Sequence, residues 1–473
     1  MSMRHAAVGT VSVLKGSPAL ERAAALVAIC ALLASSPSAQ SAAPTTPEIR
    51  TKVEEYINAA VRVNGFSGSI LVAKNGQPVV SKGYGMANIE LAVPNTPQTV
   101  FRLGSITKQF TAMAIVILQE RGKLRVSDPI CKYLTECPAA WQPITIRHLL
   151  THTSGIPSYT GFPDFPRATV LPTSAAEMVG RLKDKPLEFE PGEKFAYSNS
   201  GYYLLGLIIE RASGLPYADF LDKSIFTPLA MHQTGYDNSS RIIRNRAAGY
   251  ARKAGETVNA AYMDMTVPYA AGGLYSTTED LLRWDRALYT NTLVSQKSLD
   301  EIFTPEKDGY GYGWIIGTRF DRQVIAHGGG IYGFATHIAR FPADRLTVIV
   351  LSNVEGASAS RMANDLAAIV FGAPYALPRE RRSITVEPGV LEQYVGTYKI
   401  AAPPVEVVVT YESGSMVADI GGQMKLALAA ESDTTFFSRD VSAQITFVKD
   451  AAGQVTGLTL RMDGSELPAQ RVK

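Results

Sequence analysis

The hydrophobic period changes twice along this chain, and those changes restrict it to an α+β fold followed by a separate strand-built region. Gly68 to Ala73 and Pro78 to Gly83 are strand-like runs joined by Lys74-Asn75-Gly76, a hairpin signal because Asn and Gly tolerate the positive φ angles of a tight turn. Ahead of them, Thr46-Pro47-Glu48 reads as a helix start, with Ile49, Val53, Tyr56, Ile57 and Ala60 recurring on one helical face. From Phe101 to about Met263 helical patterns alternate with Pro/Gly loops, over Ser105 to Arg121, Ile144 to Thr151, Ser174 to Lys185 and Gly201 to Ala212. The pattern then returns to strands: Tyr310 to Gly317, Gln323 to His327, Phe334 to Phe341 and Leu346 to Asn353, closed by a helix over Arg361 to Phe371. This predicts an antiparallel sheet flanked by helices with an inserted all-helical subdomain.

Pro374 to Arg382, rich in Pro and Arg, reads as a linker. Beyond it, Val405 to Tyr411, Met416 to Ile420, Lys425 to Ala429, Ile445 to Val448 and Val455 to Met462 are short, regularly spaced strand runs, which predict a small β-barrel or sandwich. The expected domains are therefore 44–375 and 385–473, with a linker over 376–384.

The first 43 residues read as an address. A basic stretch ending at Arg22 precedes the apolar run Ala23 to Ala34 and then small residues, the layout of a secretory signal peptide. The run is too short to cross a bilayer, which takes about 20 residues, so export to the periplasm or medium without a transmembrane anchor is predicted. Cys30 follows Ile29, where a lipid-attachment cysteine would want a small neighbour. Cys131 and Cys137 remain, either as a disulfide in an oxidising compartment or as two half-buried thiols. With 46 Lys+Arg against 43 Asp+Glu there is no basic surplus to recommend nucleic acid or an anionic membrane as partner. No metal-ligand cluster, GxGxxG or P-loop occurs, so neither metal nor cofactor is expected.

Ser105-Ile106-Thr107-Lys108 opens an apolar helix, so the Lys108 amine can sit beside the Ser105 hydroxyl one turn away. A serine hydroxyl becomes a useful nucleophile only when a neighbouring base takes its proton, and a lysine can do so once burial lowers its pKa. Two further clusters follow: Tyr197-Ser198-Asn199 at a loop-to-helix junction, and His327-Gly328-Gly329-Gly330 after a strand. Each is weak alone. In this order they resemble the three motifs of the serine β-lactamase and penicillin-binding-protein superfamily: Ser-x-x-Lys, Tyr-x-Asn, and Lys-Thr-Gly or its His-x-Gly variant. Ile144 to Pro157 and Gly272 to Thr277 resemble other stretches of its class C-like branch, so the resemblance covers roughly Pro47 to Phe371. Gly-x-Ser-x-Gly is absent, which removes the α/β-hydrolase fold.

The resemblance implies that Ser105 is acylated, Lys108 is its base partner and Tyr197 shuttles a proton. It implies that Asn199 binds the substrate's amide, that the strand of His327, Gly328 and Gly329 lines the pocket, and that the Ser105 and Gly330 amides form the oxyanion hole. His148 and His152 read as structural. Where related enzymes carry a carboxylate-binding lysine this chain has His327, neutral near pH 7 on its ordinary pKa and expected to charge towards pH 6. The His-x-Gly variants resemble esterases and peptidases acting on D-amino-acid derivatives. The leading expectation is thus an exported serine acyl hydrolase of small esters, or of D-configured amides and peptides. Alternatives are a β-lactamase or D-alanyl-D-alanine carboxypeptidase, and a non-catalytic binding protein on the same fold. Leu391 to Tyr398 resembles the opening of a lipocalin-like domain that often follows such hydrolases.

Overall fold

The computed structural model describes residues 44–472 apart from 254, 402–404, 413, 423, 439–440, 442 and 463–464. The signal peptide expected over residues 1–43 lies outside the described residues.

Helix α1 (Thr46–Asn64) starts where the sequence places it: Thr45 is the cap, and its backbone N–H donates to the Glu48 carboxylate at 2.7 Å. Strands β1 (Gly68–Lys74) and β2 (Gln77–Tyr84) form the hairpin, with Asn75 at φ 52° and Gly76 at φ 70° in the turn. Four later strands complete the sheet: β3 (Ile315–Arg319), β4 (Arg322–Ile331), β5 (Phe334–Phe341) and β6 (Leu346–Ser352). The order is β3-β4-β5-β6-β1-β2, all antiparallel, so the N-terminal hairpin docks onto strands nearly three hundred residues downstream.

The sheet is buried on both faces, which is why β1 and β6 are almost continuously apolar. Ile70, Val72, Val348 and Val350 pack with α1 and a closing helix (Ala359–Phe371), while Leu71, Ala73, Ile349 and Leu351 join the core of the inserted segment. The alternation follows from the strand period of two. The inserted segment is built on two buried helices, α2 (Thr107–Glu120) and α3 (Asn199–Ser213), and α4 (Thr278–Ala287) follows it. It is not all helical, contrary to expectation: Phe101–Arg102 and Gly235–Tyr236 pair with Leu274–Ser276, and Tyr250–Lys253 pairs with Glu256–Asn259. Strands of two to four residues are too short to leave a period of two in the sequence. Cys131 and Cys137 are joined as a disulfide with Cα atoms 5.4 Å apart.

Phe371 ends the closing helix, α5 (Ala359–Phe371), and no helix or strand follows before Pro388. The C-terminal strands, β7 (Gly396–Ile400), β8 (Val405–Glu412), β9 (Ser415–Ile420), β10 (Met424–Ala430), β11 (Thr435–Ser438), β12 (Ala443–Lys449), β13 (Val455–Met462) and β14 (Ser465–Arg471), form a closed barrel. Closure removes the edges that a sandwich would leave. Its core is its own, centred on Val407, Ile445 and Leu460, with Tyr394 stacked on Phe447 at 4.2 Å.

One buried ion pair ties α4 to the sheet. Arg340 Nε donates to Asp285 Oδ1 at 2.9 Å, Thr347 donates to Asp285 Oδ2 at 2.6 Å, and both charged side chains are 2% exposed. Asp285→Ala would leave Arg340 charged and unpaired in the interior, so it should cost about 3 to 5 kcal/mol, read as a drop in Cm without loss of two-state unfolding.

Candidate active site

The site is set at the start of α2. Gly104 adopts φ +55°, and a Cβ there would lie 2.9 Å from the Gly330 nitrogen, so only glycine lets this turn press against β4. Ser105 follows in a single 3₁₀ turn, Gly104–Ile106, that runs into α2. Every α2 residue from Thr107 to Leu118 is buried, which fixes both Ser105 and Lys108 in place.

The Lys108 amine has three oxygen neighbours: Ser105 Oγ at 3.1 Å, Asn199 Oδ1 at 2.9 Å and the Ala271 carbonyl at 2.8 Å. The last two can only accept hydrogen bonds. A neutral amine donates its two hydrogens to them and keeps its lone pair for the Ser105 hydroxyl. Complete burial holds the Lys108 pKa well below the ordinary lysine value, which favours that neutral form.

Tyr197 covers this group from outside, with its ring centroid 4.8 Å from the amine. Tyr197 is 39% exposed, while the protein packed around it pushes its pKa up, against the opposing effect of a hydrogen bond with Ser105. Tyr197 is therefore a neutral phenol at rest. Its loop is pinned by His152, whose Nδ1 accepts the Ser198 N–H at 3.1 Å and whose ring lies 4.3 Å from that of Tyr197. Burial, with Lys108 and His327 nearby, holds His152 well below the usual imidazole pKa, so it positions the loop as a neutral group. His148 completes the capping box of a short helix (Ile146–Leu150) whose cap is Thr145, its Nδ1 accepting the Thr145 N–H at 3.2 Å. Asn199 gives its amide N–H to Thr160 at 3.2 Å and its carbonyl to Lys108, a positioning role the sequence reading lacked.

On the other side, β4 presents Gly328, Gly329 and Gly330. A Cβ on Gly329 would sit 1.9 Å from the Leu103 carbonyl, so this strand also closes on the serine turn through glycine. Thr336 on β5 locks the approach by donating to that same carbonyl at 2.7 Å. The His327 imidazole is 4% exposed. Its Nδ1 lies 2.6 Å from the Gly328 carbonyl and therefore carries the hydrogen, leaving Nε2 to accept from the Tyr310 hydroxyl at 3.0 Å. Burial and the neighbouring Lys108 push its pKa down to about 3. The expectation that His327 charges as pH falls towards 6 is overturned, because a buried ring beside a second basic group cannot take a proton there.

The cleft in front of Ser105 encloses about 640 Å³. Asn199, Gly104 and Gly328 to Gly330 form its polar floor, and Phe165, Met263, Ile315 and Phe334 its apolar walls. Met424, Val441 and Met462 of the C-terminal region also line it. Ala271, Tyr310, Thr336, His337 and Glu355 were not singled out in the sequence. Ala271 acts through its backbone and the others carry no motif, so only packing reveals them.

Fold and site together define a serine hydrolase. Residues 53–371 match the Beta-lactamase family and residues 380–471 match a domain of unknown function (DUF3471). The chain belongs to the beta-lactamase family. Penicillin-binding protein 4* of Bacillus subtilis (strain 168) is 34% identical over 440 residues, covering 86% of this chain and 95% of that protein. The structure of the octameric penicillin-binding protein homologue from Pyrococcus abyssi matches with a TM-score of 0.64 at 28% identity, over 89% of this chain and 100% of that one. D-amino acid amidase from Ochrobactrum anthropi SV3, complexed with L-phenylalanine amide, matches with a TM-score of 0.60 at 25% identity, over 69% of this chain and 98% of that one.

Because the amine must be neutral to take the serine proton, acylation should fall as pH drops through the lowered Lys108 pKa, and no limb should come from His327. The pH profile of kcat/KM for a neutral ester checks this: His327→Gln should leave the acid limb where it is, and a limb that vanishes would make the imidazole the titrating group.

Proposed function

We propose that this protein is an exported acyl hydrolase that forms an acyl-serine at Ser105 and acts on small esters and on amides or peptides of D-amino acids. The arrangement of Lys108 carries the reading, with two pure acceptors aiming its lone pair at Ser105 Oγ. In acylation Ser105 Oγ attacks the substrate carbonyl carbon while its proton passes to Lys108. The carbonyl oxygen gathers negative charge, and the Ser105 and Gly330 amides are the donors proposed to receive it. In this reading Tyr197, a neutral phenol over the amine, hands a proton to the leaving group and regains one from the water that later cleaves the acyl-serine, while Lys108 returns its proton to the departing Ser105 oxygen.

A strand edge supports extended substrates. β3 begins at Ile315, opposite Ala326, and runs away from the glycines, so among the described residues Gly328 to Ile331 have no strand partner on that side. An extended peptide can pair there through backbone hydrogen bonds. Similarity to a D-amino acid amidase supports amides of D-amino acids. Among the described residues that line the cleft there is neither lysine nor arginine to hold a carboxylate, which weighs against β-lactam and D-alanyl-D-alanine carboxylates as preferred substrates. The similarity to penicillin-binding protein 4* keeps both in the test panel.

A fluorophosphonate should add to wild type, read by intact mass, and Ser105→Ala should abolish both the adduct and whatever turnover the wild type shows on aryl esters, D-aminoacyl amides, a D-alanyl-D-alanine peptide and a chromogenic cephalosporin, with Tm little changed. An adduct that survives the substitution places the nucleophile elsewhere, and a protein that never labels is a binding protein on this fold.

We also propose that the chain divides at the linker over 376–384 and that the barrel walls the cleft through Met424, Val441 and Met462. A chain ending at Leu377 should still label at Ser105 but show a changed preference for acyl-chain length in an ester series. Failure of that chain to fold would mean that the two regions share a core.

A further inference from the structure

The acidic lining of the cleft bears on its substrates. We infer that Glu355 selects substrates whose acyl portion carries a cationic group set back from the reacting carbonyl. Among the described residues lining the cleft, Glu355 is the one acidic side chain and no basic one balances it. His337, the other titratable group on that wall besides tyrosines, is held neutral, since burial and the nearby Arg319 push its pKa down to about 4. Lys108 stays behind Ser105 with its pKa lowered, so it adds little positive charge to the cleft at neutral pH.

The position of the carboxylate is fixed from two directions. Glu355 lies between β6 and α5, its backbone N–H held by the Tyr250 carbonyl at 2.8 Å. Its Oε2 accepts the Gly333 N–H at 3.3 Å. Among the described residues no lysine or arginine is paired with it. Gly333 lies in the β4–β5 turn, three residues past Gly330, so its N–H, and the carboxylate that accepts it, stay within reach of the proposed oxyanion amide, at most about 10 Å of chain away. Tyr332, in the same turn, also lines the cleft and offers an aromatic surface to a cation. A cation several bonds from the reacting carbonyl fits this spacing, as in an ω-amino acyl chain or the free amino end of a short peptide.

The inference rests on Ser105 acting as proposed, and the test separates the two. Two aryl esters of matched length are compared, 4-nitrophenyl hexanoate and 4-nitrophenyl 6-aminohexanoate, together with fluorophosphonate labelling of Ser105. Glu355→Gln keeps an oxygen to accept the Gly333 N–H while removing the charge. It should lower the ratio of kcat/KM for the amino ester over the neutral ester by roughly two- to fivefold, the range of a solvent-exposed charge pair. Glu355→Lys should lower the ratio further and shift preference to the matching carboxylated ester. An unchanged ratio in both variants overturns the inference while leaving the serine intact as nucleophile. Absence of a Ser105 adduct in the wild type overturns the serine reading, and the inference falls with it.

Discussion

A lysine amine removed from solvent needs every one of its hydrogens and its lone pair accounted for, and the architecture around Ser105 meets that requirement. Lys108 reaches the serine because α2 is buried along nearly its whole length, and it is held by Asn199 from α3 and by the Ala271 carbonyl from a separate turn. Three segments far apart in sequence therefore converge on one nitrogen. The low-dielectric surroundings that make this costly for a charged amine are the same ones that favour its neutral form. Proton transfer and fold stability thus depend on the same packing.

Glycine plays the corresponding part on the other wall. Gly104 and Gly329 allow the serine turn and β4 to approach within a distance that a methyl group would block, and Thr336 fastens the contact by a hydrogen bond. This is how the backbone of Gly330 comes next to the Ser105 turn. The neutral His327, tied at both nitrogens, leaves the wall without a fixed cation. The electrostatics of the cleft then fall to its rim, where Glu355 stands, and its shape is completed by methionine side chains of the barrel.

Much of the fold is legible in the sequence. The Asn75-Gly76 turn, the face of α1, the strands from β4 to β6 and the strand run over Val455 to Met462 follow from periodicity and turn chemistry. The catalytic candidates were found through motif order, since Ser105, Lys108, Tyr197 and Asn199 keep their residue types at fixed local spacing. What was missed has a common cause. The short strands of the inserted segment and the barrel strands Thr435–Ser438 and Ser465–Arg471 are too brief or too irregular to print a period. Ala271 contributes only a carbonyl, which any residue has.

The sequence by itself determined the succession of helices and strands and the close pairing of Ser105 with Lys108, because each depends on residues within a few positions of one another, and it determined membership of a hydrolase class through the order in which three such local motifs follow along the chain. Tertiary structure alone decided that His327 is buried and neutral rather than a pH-sensitive anchor, that Asn199 and Ala271 orient the Lys108 amine, and that Glu355 and three barrel residues reach the cleft. Those outcomes depend on burial and on contacts between distant segments. A side chain's charge and neighbours follow from the surface removed from water around it, and no local pattern of residues records that.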